Sequence, residues 1–373
     1  MHSLKEVSSV VSTVMNDPAR KPFHTMLAEI IKLWLRDRAL PTHYYKYLLY
    51  RQDSDDSIFA YVGYRNIGKV YARIRDPLGE YALNHKILFD CFFGQKAVRL
   101  PKLVGYNARN LFVLGDEVVW VSDKQQLLYV LDLLLSSSST ASIFAKPTMG
   151  TWGGTGCFIF DASDVSRICE NKGLELLSRD YVYQEVIVQH PKMAELHPSS
   201  VNTLRIDTYR TDHGEASVVS AYARMGGNRS CTDNVSGGGC FVGVNLEKGT
   251  LMRKGFVVPE HGPAILERHP DTGVIFDGFT IPFFHEALLV AKQAAELTPL
   301  AAVGWDVAIG LDGPILIEGN APYQAEISEI AYGGYWRNPV FRCLIEDHAP
   351  ELGRIGRQFD KAYPGEIRQV ADI

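Results

Sequence analysis

The stretch IFAKPTMGTWGGTGCFIF, residues 143–160, constrains this chain more than any other. A short apolar run delivers Lys146, glycines follow at 150, 153, 154 and 156, and a second apolar run closes the unit. Apolar runs on both sides of a glycine-rich tip spell a β-hairpin. Glycines let backbone N–H groups come close to an anion, and a neighbouring lysine neutralises it. The lysine precedes the glycines and no GK[ST] helix start follows, which excludes a Walker-type loop. The pattern predicts a flexible hairpin, with Gly150, Gly153 and Gly154 at its tip, that folds down over a polyphosphate. The same letters also allow a plain glycine turn with a surface lysine.

A second constellation is VGWDVAIGLDGPILIEGNAPY, residues 303–323. Two apolar strands flank the turn Leu311-Asp312-Gly313-Pro314, which sets Asp306 on one strand beside Glu318 on the next. Glu318 and Asn320, two residues apart, share a face. Two carboxylates and an amide oxygen on one face are hard ligands suited to Mg²⁺, which keeps some waters and shares phosphate oxygens. Polar residues on a solvated hairpin face are the competing reading, but Asp306 sits between Trp305 and Val307-Ala308-Ile309, a poor setting for an idle carboxylate.

Composition bounds the rest. In 373 residues, 46% hydrophobic and 22% charged, there is material for subdomains sharing a large core and no sign of disorder. A net charge of −5 gives nucleic-acid binding no support. The six cysteines form no CxxC pair and read as reduced thiols of a cytoplasmic protein, not a zinc site. No apolar run suits a secretory signal or a membrane span.

Along the chain, helical spacing covers 23–38, a second helix begins at Tyr44–Tyr50, and another occupies 80–95. The aromatic, partly basic opening suits a membrane surface or a partner, although burial of its apolar face on the fold is the favoured reading. Short strands are expected at 103–104, 111–114 and 118–121, and a helix at 123–135 ends in the serine run 136–139. Strands at 201–209, 216–225, 240–245, 303–309 and 314–318, with a helix at 283–297, complete an α+β body. The expected division is a helical region 1–78, a subdomain 79–185 with the Lys146 hairpin, a subdomain 186–350 with the metal ligands, and a tail 351–373.

Further motifs are YQEVIVQHP at 183–191, SSVNTLRIDTYR at 199–210, DNVSGGG at 233–239 and HPDTG at 269–273. Together with FAKP at 144–147 and GWDVAI…ILIEGN at 304–320, and in this order, they give a chain that resembles the ATP-grasp superfamily. The likeness is to its sugar-transfer-associated branch and covers roughly residues 40–350. The resemblance implies an ATP-grasp fold in which two α+β subdomains clasp ATP. It implies that Lys146 and Lys86 reach the nucleotide phosphates, although His85 stands where relatives such as the D-alanine–D-alanine ligases carry an aspartate. Gln184, Glu185, Val186 and Ile187 fit the hinge that reads adenine, Glu185 either by its side chain, reaching the amine or the ribose, or more by its backbone than its side chain. Asp306, Glu318 and Asn320 match the Mg²⁺ ligands.

Arg205 and Arg224 lie in strand-patterned runs, where a lone arginine must be paired or bound to ligand. A guanidinium fork suits the γ-phosphate and an acyl-phosphate transition state, while a salt bridge to Asp207 or another carboxylate is the alternative. The loop 233–239 is expected to face the acceptor; His190, His269 and Asp271 have no assignable role. The implied reaction is activation of a carboxylate by ATP and its capture by an amine, with no side-chain nucleophile. The family association points to a sugar-linked substrate in surface-polysaccharide synthesis and to peripheral contact with a membrane or glycan-assembly machinery. A phosphotransferase on the same scaffold and a non-catalytic nucleotide-binding scaffold are the rival readings.

Overall fold

Two antiparallel sheets hold the strands of this computed structural model, which describes residues 12–54, 57–96, 98–150, 154–227, 233 and 237–366. The first sheet contains β1 (Leu103–Ala108), β2 (Leu111–Leu114), β3 (Glu117–Trp120), β4 (Ser142–Pro147), β5 (Phe158–Asp161) and β6 (Tyr181–Glu185), in the order β3-β2-β1-β6-β4-β5. Helices Lys124–Ser136 and Val165–Ser178 cover one face, where Leu127, Leu131 and Leu176 pack on Ile143, Ala145 and Tyr183. Because side chains alternate along a strand, Phe144, Lys146 and Gln184 face the other way.

The second sheet contains β7 (Thr203–Arg210), β8 (Ala216–Met225), β9 (Cys240–Asn245), β10 (Thr250–Val257), β11 (Ala264–Leu266), β12 (Ala302–Gly310) and β13 (Gly313–Asn320), in the order β11-β10-β9-β8-β7-β12-β13. Helix Phe284–Glu296 buries Ala287, Leu288 and Ala291 against one face, with Leu204, Ile206, Val303 and Trp305. The intervening residues Thr203, Arg205, Asp207, Gly304 and Asp306 therefore line the opposite face. Part of that face is roofed by a third core, in which Tyr44, Tyr50 and Tyr61 meet Tyr209, Tyr222 and Trp336 and helices Pro339–His348 and Gly353–Ala362. Glu329 pins this roof from inside: its carboxylate accepts the backbone N–H of Val62 at 2.6 Å, Gly63 at 3.1 Å and Tyr335 at 3.2 Å.

Three local features depart from the sequence expectation. The helix begun at His43 lasts one turn, to Lys46, and Leu48 then adopts a left-handed backbone (φ 59°), which turns Tyr47 and Tyr50 into the core. The helix expected over 80–95 is two helices, Pro77–Asn84 and Lys86–Phe93, separated by extended His85. The break has a cause: the Lys86 N–H donates to the Thr148 carbonyl at 3.0 Å, which pins the second helix to the end of β4. Residues 353–362, in the stretch expected as a tail, form a helix that buries Ile355 and Phe359.

Candidate functional site

A cavity of about 220 Å³ opens between the two sheets. Phe144, Lys146, Gly154 and Gln184 line it from one side, Thr203, Arg224, Asp306 and Glu318 from the other, and Lys86 lines it from helix Lys86–Phe93. Glu185, Val186 and Ile187, where the chain leaves β6 for the second sheet, border it as well. The crossing is fixed at its far end by the His190 N–H, which donates to the Ile309 carbonyl at 2.8 Å.

Lys146 is buried, and among the described residues no carboxylate is in ion-pair contact with it. Burial pushes its ammonium down to about 8; Glu318 opposes that shift and Lys86 adds to it. Such a cation gains strongly from a multiply charged anion. Gly150 and Gly154 both take positive φ, 73° and 75°, which a side chain would resist. Gly153 lies outside the described residues.

Facing the lysines, Asp306 and Glu318 are direct partners in the β12–β13 ladder, and the next pair is Val307 with Leu316. The bulge leaves Ile317 unpaired in the ladder and turned to the cavity wall. Asp306 and Glu318 thus project side by side from one face, and Asn320 Nδ2 donates to Glu318 Oε1 at 3.5 Å. Two carboxylates side by side repel unless a cation or proton is shared, so this donor set fits a divalent ion. Among the described residues no group of three or more His, Cys, Asp or Glu is arranged for a metal.

The model of a family described as sugar-transfer associated ATP-grasp matches residues 69–339. The chain belongs to this family. The ATP-grasp chain is similar to three solved structures, each at a low TM-score. One is the ATP-grasp ligase PsnB complexed with minimal precursor (13% identity, 73% of this chain, 63% of that one, TM-score 0.40). The second is the D-cycloserine synthetase DcsG (15%, 70% and 71%, 0.37). The third is D-alanyl-alanine synthetase A from Vibrio cholerae (10%, 76% and 66%, 0.39). The ATP-grasp chain thus spans less than two thirds of the PsnB chain it matches. No curated protein matches it.

Within the ATP-grasp site the two arginines serve Asp306. Arg205 Nε donates to Asp306 Oδ1, and Arg224 Nη2 donates to Asp306 Oδ2 at 2.9 Å. Burial works against the Asp306 charge, but the two guanidinium groups outweigh it and hold the carboxyl below the usual carboxylate range. Of the pair, Arg224 lines the cavity, where it also donates to Thr203 Oγ1 at 2.7 Å and stands 3.4 Å from Asp233. The salt bridges of the alternative reading are thus present for both arginines, with Asp306 as the partner of Arg205 and Asp306 and Asp233 as partners of Arg224.

The Glu185 carboxylate is engaged within the protein. It accepts Lys102 Nζ at 2.8 Å, the Ser139 N–H at 2.7 Å and Ser139 Oγ at 2.8 Å. Those bonds, against the cost of burial, keep its carboxyl low and weld β6 to the end of the serine run. His190 caps the short helix Pro191–Ala194 through Nδ1, which accepts the Lys192 N–H at 3.1 Å. His269 is buried: Nδ1 accepts the Asp271 N–H at 3.2 Å and Nε2 contacts the Gly226 carbonyl at 3.0 Å. HPDTG is thus a brace under the loop after β8. Of DNVSGGG, residues 234–236 lie outside the described residues.

Sequence reasoning missed Thr203, Phe144 and Ile317 as cavity walls. Thr203 and Phe144 are each two residues from a named site residue on the same strand, so alternation could have found them. Ile317 could not be found that way, because its position depends on the bulge.

Proposed function

We propose that this chain is an ATP- and Mg²⁺-dependent ligase that activates a carboxylate as an acyl phosphate and joins it to an amine, releasing ADP and phosphate. The observation that carries this reading is one cavity lined by buried Lys146 of the first sheet, by buried Lys86 of helix Lys86–Phe93, and by Asp306 and Glu318 of the second sheet. Asp306, Glu318 and Asn320 would hold the metal. When bound, Mg²⁺ supplies positive charge to the phosphate oxygens and so eases attack at phosphorus.

The protein's own contribution is position and enclosure. Lys146 and Lys86 orient the phosphates, and the loop that carries Gly150 and Gly154 shields them from water, which would destroy an acyl phosphate. Apolar Phe144 and Ile317 with the backbone of Gln184–Ile187 form the bed for the adenine. Arg205 fixes the Asp306 carboxylate, and Arg224 stands at the border of the phosphate and acceptor regions. The family description supports a sugar-linked carboxylate or amine, such as a sugar acid of a surface polysaccharide, and a cytoplasmic reaction.

Calorimetric titration of ATP with Mg²⁺ into wild type, Lys146→Ala and Glu318→Ala tests the site, followed by a screen of carboxylates with amines for ADP and free phosphate. Binding that weakens in both variants, with equal ADP and phosphate release, supports the ligase. ADP without free phosphate would point to a phosphotransferase. No binding by folded wild type would leave a scaffold.

A further inference from the structure

Helix Phe23–Asp37 is inside out. A helix on the surface of a soluble fold turns its charges to water and its apolar stripe inward. Here Met26 and Leu33 are buried, but Phe23, Leu27, Ile31, Trp34 and Leu35 are 47–59% exposed, and Leu40 just beyond is 75% exposed. At 100° per residue the five helical positions fall in one sector of the solvent side. A shallow apolar groove of about 260 Å³, lined by Met15, Phe23, Leu27 and Tyr45, continues the same surface.

The charges complete the inversion. Residues 20–38 hold five bases and two acids in a chain whose net charge is −5. Both acids are turned to the protein. Glu29 takes Lys21 Nζ at 3.0 Å and the Tyr44 hydroxyl at 2.5 Å. Asp37 takes Arg36 Nε at 2.7 Å, while the same guanidinium donates to the carbonyls of Phe59 and Tyr61. What remains outside is basic: His24, Lys32 and Arg38 are exposed, and the Arg20 guanidinium lies 4.3 Å from the centre of the Phe23 ring.

We propose that this face docks the protein on an anionic lipid surface. Apolar side chains flanked by bases, with the acids withdrawn, complement negatively charged headgroups above acyl chains, and Trp34 is the aromatic type that favours that boundary. The contact is peripheral: among the described residues no helix is long and apolar enough to cross a membrane. The surface is separate from the cavity between the sheets, so docking and nucleotide binding are independently testable.

The experiment uses the full chain and vesicles of phosphatidylcholine with or without an equal share of phosphatidylglycerol, read by co-sedimentation and tryptophan fluorescence. Wild type is expected to bind the anionic vesicles with a blue shift, to be released by high salt, and to ignore the neutral ones. Leu27→Ser/Ile31→Ser/Trp34→Ser should lose at least about tenfold in partitioning, and Lys32→Glu/Arg38→Glu likewise. Both variants should keep wild-type thermal stability, because the altered side chains are exposed. Absence of binding to anionic vesicles, or binding that the triple variant retains, would overturn the proposal. So would a wild-type dimer in light scattering that the triple variant converts to monomer, because the face would then belong to a second copy of the chain.

Discussion

Lys146 offers a test that needs no knowledge of the acceptor. Its ammonium is held down to about 8 by burial, so at pH 8 about half of the unliganded molecules carry a neutral amine. A polyphosphate placed against it favours the charged form and returns the group toward its ordinary 10.5. Nucleotide binding must then take up about 0.5 proton per site at pH 8, about 0.1 at pH 7 and about 0.9 at pH 9. The free energy linked to that return is about 3 kcal/mol, so affinity should fall as pH rises from 8 toward 10. The assay is calorimetric titration of Mg-ATP in buffers of different ionisation enthalpy, where the slope of observed against buffer enthalpy counts the protons. Lys146→Met should remove the pH-dependent part of the slope and weaken binding. Tight binding with no uptake at pH 8 or 9, or a slope that Lys146→Met leaves unchanged, would refute the reasoning.

Other expectations follow from the same geometry. Asp306→Ala leaves buried Arg205 without its carboxylate and partly buried Arg224 with Asp233 alone, and should cost about 3–5 kcal/mol in urea unfolding, whereas Glu318→Ala should cost within about 1 kcal/mol while losing Mg²⁺-dependent nucleotide affinity. Glu185→Gln should change ATP affinity by less than about threefold, since Lys102 and Ser139 occupy the carboxylate; a larger loss would put that side chain on the nucleotide. Gly304→Ala should destabilise by about 1–3 kcal/mol, because a Cβ there would lie 2.6 Å from Tyr323 Cβ and 2.9 Å from Asp207 Oδ1. A melting temperature unchanged from wild type would refute it.

Much of the site was legible because it lies on regular strands. Alternation puts Glu318 and Asn320 on one face and Lys146 opposite the helix-packed side of its sheet, but only the bulge between Asp306 and Val307, which no spacing reveals, brings Asp306 opposite Glu318. What the sequence hides is long-range pairing. Nothing in TLRIDTYR says that Arg205 will meet Asp306, 101 positions away, and nothing in YQEV says that Glu185 will be taken by Ser139. The break at His85 is hidden for the same reason: local propensity favours one helix over 80–95, and a single bond from Lys86 to Thr148 overrides it. The exposed face of helix Phe23–Asp37 is a fourth case, since periodicity marks an apolar stripe but not which neighbour covers it.

The position of Asp306 bears on how descendants of this chain would decay. Buried Arg205 depends on it and partly buried Arg224 is paired with it, so a lineage that abandoned catalysis would still be under selection to keep Asp306 for the sake of the fold. Lys146 has the opposite status, because a buried cation that among the described residues has no carboxylate in ion-pair contact is a liability without an anion. In a set of relatives, persistence of the aspartate would therefore be uninformative about activity, and drift at position 146 would be the first mark of an enzyme turned pseudoenzyme.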